Sequence, residues 1–179
     1  MNVSRSTAHS PYMEWAKLHS TAKFNLATSG MMGFPLSELG VRNDGAELEI
    51  NGINPYGYEP LLEAISARYR VPQECIVTAT GTSLANHLAL AATTEPGDEI
   101  LVEQPSYDPI LSAAQYLGLQ IKRFQRPSER NFGIDLEDLE RNLTARTRLI
   151  VITNMHNPSG ALCPETVLQE IAALARKSG

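Results

Sequence analysis

Three short stretches hold the residue types and spacings from which chemistry could be built. In TATGTSLANHLAL an apolar run ends, Gly81 allows a tight turn, and Thr82 and Ser83 open what reads as a helix. The first turn of a helix carries backbone N–H groups without intrahelical partners and the positive end of the peptide dipole. A phosphate fits such a place, with Gly81 allowing close backbone approach and the two hydroxyls as further donors. The same residues would also serve as a plain helix cap. The stretch is neither a Walker A loop, for want of the lysine, nor a GxGxxG turn. In EILVEQPSY, Tyr107 follows a strand-like run. Its ring could stack on a flat heterocycle, worth about 0.5–1.5 kcal/mol beyond simple burial, or lie half-buried as an ordinary strand-end tyrosine. In RLIVITNMHNPSG, Asn157 precedes Pro158, which favours extended backbone. Its side-chain amide could donate to a phenolate-type oxygen, or the residues could form an Asn-Pro turn completed by Gly160. His156, beside it, shows no partner in the sequence and reads as incidental.

The elements that must carry these residues follow from the apolar pattern. CIVTATG reads as a strand and SLANHLALAATT as a helix closed by Pro96-Gly97. EILVEQ is a strand, PILSAAQYLG a helix ending at Gly118, and LQIKRFQ a strand. Asp135 to Leu143 is a short amphipathic helix, RLIVIT a strand, and Pro164 to Lys177 a helix with Val167, Leu168, Ile171 and Leu174 apolar. Upstream, LLEAISARY has helical spacing and Ser10-Pro11 opens a helix whose face would include Tyr12, Trp15, Ala16 and His19. Residues 30–60 are rich in Gly and Pro and read as connection, with a short helix from Pro35 to Leu39. Strands alternating with helices imply crossover units and a mostly parallel sheet. RLIVIT is apolar without alternation, so both its faces should be covered. Right-handed crossovers place ligands at the C-terminal ends of such strands. All three stretches then fall at one end of successive strands. Together they supply phosphate donors, a stacking ring and a donor to a ring oxygen, which are the needs of pyridoxal 5′-phosphate.

Composition bounds the alternatives. The chain has 179 residues, 42% hydrophobic and 20% charged, enough for one domain with a real core. Its formal net charge is -5, which does not favour nucleic acid as a partner. Lys122, Arg123 and Arg126 read as a solvated strand edge. Cys75 and Cys163 lack a second ligand at metal spacing and read as reduced thiols. Neither a signal peptide nor a run of about 20 apolar residues is present, so no membrane partner and a cytoplasmic location are expected.

With these residues in view, the chain resembles the fold-type I aminotransferases of class I/II. The resemblance rests on NPYGYEPLLEAI, TATGTSLANHLAL, DEILVEQPSYDP and RLIVITNMHNPSG, the last two the most specific, and spans residues 24–179. It implies a three-layer α/β/α fold with a mostly parallel sheet: an incomplete large domain over residues 46–179, preceded by an N-terminal arm and helix over 1–45. It implies that Gly81, Thr82 and Ser83 hold the phosphate of pyridoxal 5′-phosphate, that Tyr107 stacks on the pyridine ring and that Asn157 hydrogen-bonds the ring oxygen. Leu26 to Gly30 is similar to the segment that borders the substrate carboxylate, which makes Ser29 and Gly30 substrate-binding candidates. Tyr56 is a further cofactor-binding candidate, although it directly precedes Gly57 where the family's tyrosine lies several residues earlier. In the family the Asn157-Pro158 bond can be cis. Leu61-Leu62 stands where Leu-Arg is common, and Asn154-Met155 where Asn-Pro often stands.

The family's aspartate for the pyridine nitrogen and its Schiff-base lysine belong further along than residue 179. Lys17, Lys23, Lys122 and Lys177 stand in no matching motif, so no catalytic residue is assigned here. The expectation is an amino-group transfer between an amino acid and a 2-oxo acid by a homodimeric parent protein, with this chain alone inactive and, with an open sheet edge, poorly soluble or ordered only beside a partner. Three alternatives stand beside it. The same cofactor and fold serve lyases, decarboxylases and synthases; aminotransferase-like domains also act as effector-binding modules; and an unrelated α/β module could bind a nucleotide at Thr80–Ser83.

Overall fold

The computed structural model describes residues 9–19, 21–25, 33–40, 52, 54 and 56–178. The expected boundary at residues 45/46 lies outside them. The chain forms two compact units, one of residues 1–19 with 81–179 and one of residues 20–80.

The first unit is an α/β/α sandwich. Strands β1 (Glu99–Gln104), β2 (Gln120–Gln125) and β3 (Thr147–Val151) form a parallel sheet in the order β2-β1-β3. Helices α4 (Asp108–Tyr116) and α5 (Leu136–Asn142) make the crossovers, while α3 (Thr82–Thr93) leads into β1 and α6 (Glu165–Ser178) follows β3. Side chains alternate across β1. Ile100 and Val102 pack with Leu90 of α3 and Ile110 and Ala114 of α4, while Leu101 packs with Phe124 of β2, Leu139 of α5 and Ile171 of α6. Neighbouring β3 splits the same way, Leu149 joining the first cluster and Ile150 the second, so the unbroken apolar run does mark a strand covered on both faces. The turns are local chemistry. Asp98 accepts from the Glu95 amide at 2.8 Å to close the turn into β1. Gly118, at φ +75, ends α4 in a backbone conformation that costs glycine little. Asp135 caps α5 by accepting from the Asp138 amide at 3.1 Å.

Helix α1 (Pro11–Leu18) belongs to this unit and lies against α4. Ser10 caps it, accepting from the Met13 amide, and donates its hydroxyl proton to the Asp108 carboxylate. Of the face expected from its sequence, Ala16 is buried, whereas Trp15 is about half exposed and lies 5.5 Å from the His19 ring.

In the second unit, α2 (Glu59–Tyr69) and a short 3-10 turn at Leu36–Glu38 fall where helices are expected, and a further 3-10 turn forms at Gln73–Cys75. The strand expected over CIVTATG is not formed. Ile76 is extended, at φ -113 and ψ 124, but the sheet consists of β1, β2 and β3, and Val77 remains 83% exposed. Apolar β-branched residues give a segment the tendency to be a strand; a ladder partner makes it one, and no described strand provides it.

At the base of the sheet, Glu99 is buried and its Oε1 accepts from the hydroxyls of Thr144 and Thr147, both at 2.6 Å. Burial pushes this carboxyl up, but the two hydroxyls, with Lys122 at 3.6 Å and Arg146 at 3.8 Å, outweigh it and hold the group below the usual carboxylate range. A depressed native value adds stability above the unfolded carboxylate pKa of about 4.3, and that contribution disappears as pH falls through the native value. Denaturant titrations from pH 7 to pH 3 are expected to show a steeper acid-side loss of stability in the wild type than in Glu99→Gln. Equal slopes would contradict this role.

Candidate functional site

Parallel pairing fixes where the expected site residues go. Val102 of β1 pairs with Val151 of β3, so both strands end at the same rim. The loop after β1 carries Tyr107, and the loop after β3 carries Asn157. Helix α3 feeds β1 through a turn at the opposite rim, and its 12 residues rise about 18 Å, close to the length of a six-residue strand. Its N-terminus, with Gly81, Thr82 and Ser83, therefore faces the rim where β1 ends.

The two strand-end loops are tied together below the surface. Glu103, the penultimate residue of β1, is 1% exposed and uses both carboxylate oxygens. Oε2 accepts from Arg126 Nη1 at 2.7 Å; Oε1 accepts from the Thr153 amide at 2.7 Å and the Thr153 hydroxyl at 2.5 Å. Arg126 is equally buried, donates from Nε to the Phe132 carbonyl at 2.6 Å, and leaves Nη2 without a partner among the described residues. The structure thus corrects the reading of Lys122, Arg123 and Arg126 as a solvated edge. Arg123 donates to the carbonyls of Val102 and Glu103, and Arg126 is the counter-charge of a core carboxylate. The register Glu103↔Phe124 puts Arg126 on the same face as Glu103 two residues past Phe124, a spacing visible in the sequence once the pairing is known.

His156 is corrected as well. It is 1% exposed, with Nε2 3.0 Å from the Pro105 carbonyl and Nδ1 2.5 Å from Ser159 Oγ. A carbonyl can only accept, so Nε2 donates to Pro105, and Nδ1 shares a hydrogen bond with the Ser159 hydroxyl. The histidine that looked incidental joins the Tyr107 loop to the Asn157 loop. Asn154 closes the second loop at its base, accepting from the Cys163 amide at 3.0 Å. Burial pushes the Cys163 thiol up, and neither cysteine is in a disulfide. The Gln104-Pro105, Asn154-Met155 and Asn157-Pro158 peptides are cis, the last as expected from the sequence.

The expected cofactor residues present free polar atoms. Gly81 has φ +83, and nothing among the described residues stands within 4 Å of where a side chain would begin. Helix α3 has no side-chain cap and no acidic residue in its first turn. The Thr82 and Ser83 hydroxyls and the Asn157 side-chain amide have no hydrogen-bond partner among the described residues. Tyr107 is half-buried; its hydroxyl lies 3.8 Å from Met13 Sδ, and the Tyr12 ring meets it edge-on at 6.1 Å. Ser106 Oγ, one residue before it, is buried and has no partner among the described residues. Tyr56 belongs to the second unit and is 88% exposed, beside a groove of about 660 Å³ lined by Gly57, Leu62 and Ile76. Ser29 and Gly30 lie outside the described residues. Among the described residues no cluster of three metal-ligating side chains occurs, and no helix is long and apolar enough to cross a membrane.

A family profile described as aminotransferase class I and II matches residues 23–179. The chain belongs to that family. Tyrosine aminotransferase of Bos taurus is 30% identical over 135 residues, covering 72% of this chain and 30% of that protein. Capreomycidine synthase of Streptomyces vinaceus is 32% identical over 160 residues, covering 84% of this chain and 41% of its own length. A solved structure, a double mutant of Thermus thermophilus aspartate aminotransferase, superposes with a TM-score of 0.67 at 29% identity, over 70% of this chain and 34% of that one. The chain thus spans well under half the length of these relatives. The cofactor of the aminotransferase class I and II family is pyridoxal 5′-phosphate, and the polar groups of this rim suit it: an open, uncapped helix N-terminus, an orphaned buried hydroxyl at Ser106 and a free side-chain amide at Asn157.

Removing one partner of a buried ion pair leaves the other charge uncompensated, at a cost of about 3–5 kcal/mol, whereas replacing both by apolar groups is far cheaper. Arg126→Met is therefore expected to destabilise the protein by that amount, and Glu103→Leu/Arg126→Met by clearly less. Denaturant unfolding of the single and double variants checks this; a double variant at least as unstable as the single would contradict it.

Proposed function

We propose that this chain is part of a pyridoxal-phosphate-dependent aminotransferase that moves an amino group between an amino acid and a 2-oxo acid, and that the chain alone is inactive. The observation that carries this reading is the uncapped N-terminus of α3, open above Gly81 and facing the rim where β1 and β3 deliver Tyr107 and Asn157. Backbone N–H groups of the first turn and the hydroxyls of Thr82 and Ser83 hold the dianionic phosphate, aided by the helix dipole. Tyr107, braced by Tyr12 and Met13, gives the pyridine ring a flat face to rest on. Asn157 Nδ2 donates to the ring oxygen and keeps negative charge there favourable. When bound, the cofactor supplies an electron sink for breaking bonds at the substrate's α-carbon. By family resemblance, Ser29 and Gly30 are the candidates for binding the substrate carboxylate, and Tyr56 for binding the cofactor. Action on an amino acid and a 2-oxo acid in a cytoplasmic, biosynthetic setting completes the reading.

A second reading, a synthase on the same cofactor, is supported by the long match to capreomycidine synthase, which covers more of this chain than the match to bovine tyrosine aminotransferase. Incubation of the full-length parent protein with an amino acid and 2-oxoglutarate separates the two: formation of glutamate marks an aminotransferase, and consumption of the amino acid alone marks the other class.

Pyridoxamine 5′-phosphate, which carries an amine instead of the aldehyde and does not react with surface lysines, probes the site directly. It is expected to bind at least tenfold more tightly than pyridoxamine. Ser83→Ala should weaken it by about tenfold, the size of one hydrogen bond to a charged group, and leave pyridoxamine unaffected. Calorimetry showing equal affinity for the two ligands, or nucleotide binding with indifference to both, would sink the proposal.

A further inference from the structure

Asn157 is exposed and its side chain is unrestrained by any described neighbour, yet a useful donor must be held in place. Its backbone supplies the hold. The Asn157 amide donates to Thr153 Oγ1 at 2.9 Å. A threonine hydroxyl has one proton, and Thr153 spends it on Glu103 Oε1 at 2.5 Å. The hydroxyl must therefore accept from Asn157, and the direction of every bond in the chain is fixed: Asn157 N–H to Thr153 Oγ1, Thr153 O–H to Glu103 Oε1, Arg126 Nη1–H to Glu103 Oε2.

We propose that Glu103 and Thr153 are positioning residues for Asn157, a polarised relay that aims its side-chain amide at the bound ring; the inference rests on the cofactor site proposed above. The carboxylate is specific to this task. A neutral glutamine at 103 has one acceptor oxygen, and turning it toward Thr153 points its NH2 at Arg126, donor against donor. A valine at 153 keeps the shape of threonine but leaves the Asn157 amide without its acceptor. A serine at 153 keeps the hydroxyl. Folding alone does not call for this arrangement, since buried ion pairs of this kind are commonly replaceable by apolar residues without loss of stability. Through Glu103 the ion pair reaches Thr153, two residues past β3, which in turn accepts from the Asn157 amide.

The test is a double-mutant cycle in the full chain, read as the dissociation constant of pyridoxamine 5′-phosphate by calorimetry, with thermal unfolding measured beside it. Asn157→Ala weakens binding by about tenfold, one hydrogen bond's worth. Thr153→Val does the same, Thr153→Ser restores wild-type affinity, and in the Asn157→Ala background Thr153→Val has no further effect, as coupled sites require. If Thr153→Val does not accumulate as folded protein, Thr153→Ala carries the same cycle. The inference is overturned if the Thr153 substitution leaves affinity unchanged, or costs the same factor in both backgrounds, because its effect then does not pass through Asn157. If Asn157→Ala itself leaves affinity unchanged, the proposed cofactor site falls, and the inference with it.

Discussion

A carboxylate withdrawn from water at the end of the central strand governs the candidate site. Glu103 lies in the middle strand, with β2 on one side and β3 on the other, and such a charge is tolerated only if its lone pairs are filled. Arg126 fills them from the β2 side and Thr153 from the β3 side. That requirement fixes the mutual height of the three strand ends and, through Thr153, the start of the loop bearing Asn157. His156 adds a second, independent tie between the same loops through the Pro105 carbonyl. The rim is thus held from beneath by groups that need not touch a ligand, while Thr82, Ser83 and Asn157 above it keep their donors free.

This division explains which parts of the chain could be read without coordinates. The alternating β and α segments from Thr82 onward were legible because each has a long apolar signal bounded by Gly, Pro or an Asp cap. EILVEQ is strand over its full length, and Asp135 caps α5 as its position suggests. The loops could be assigned to one rim because parallel pairing leaves no other choice. CIVTATG failed for the converse reason: its composition suits a strand, but strand formation depends on a neighbour, and no described strand pairs with it.

The polar interior was the illegible part. Glu103, Arg126, Thr153 and His156 are residue types usually found at the surface, and their placement in the interior depends on contacts between positions 23 to 51 residues apart. No local periodicity encodes such a contact. A weak clue does exist, since a charged residue at the end of a strand otherwise buried on both faces needs a counter-charge on the adjacent strand. Applied to EILVEQ and LQIKRFQR, that rule selects Arg126 only after the register is known.

The central claim is that three turns at one rim hold a single flat, phosphorylated ring. A crystal structure with pyridoxamine 5′-phosphate bound tests it most directly. The account predicts phosphate oxygens about 2.7–3.2 Å from the Thr82 and Ser83 amides, the ring lying on Tyr107, and Asn157 Nδ2 donating to the ring oxygen. A ligand that touches only one of these three places, or sits at the opposite rim near Glu99, contradicts it.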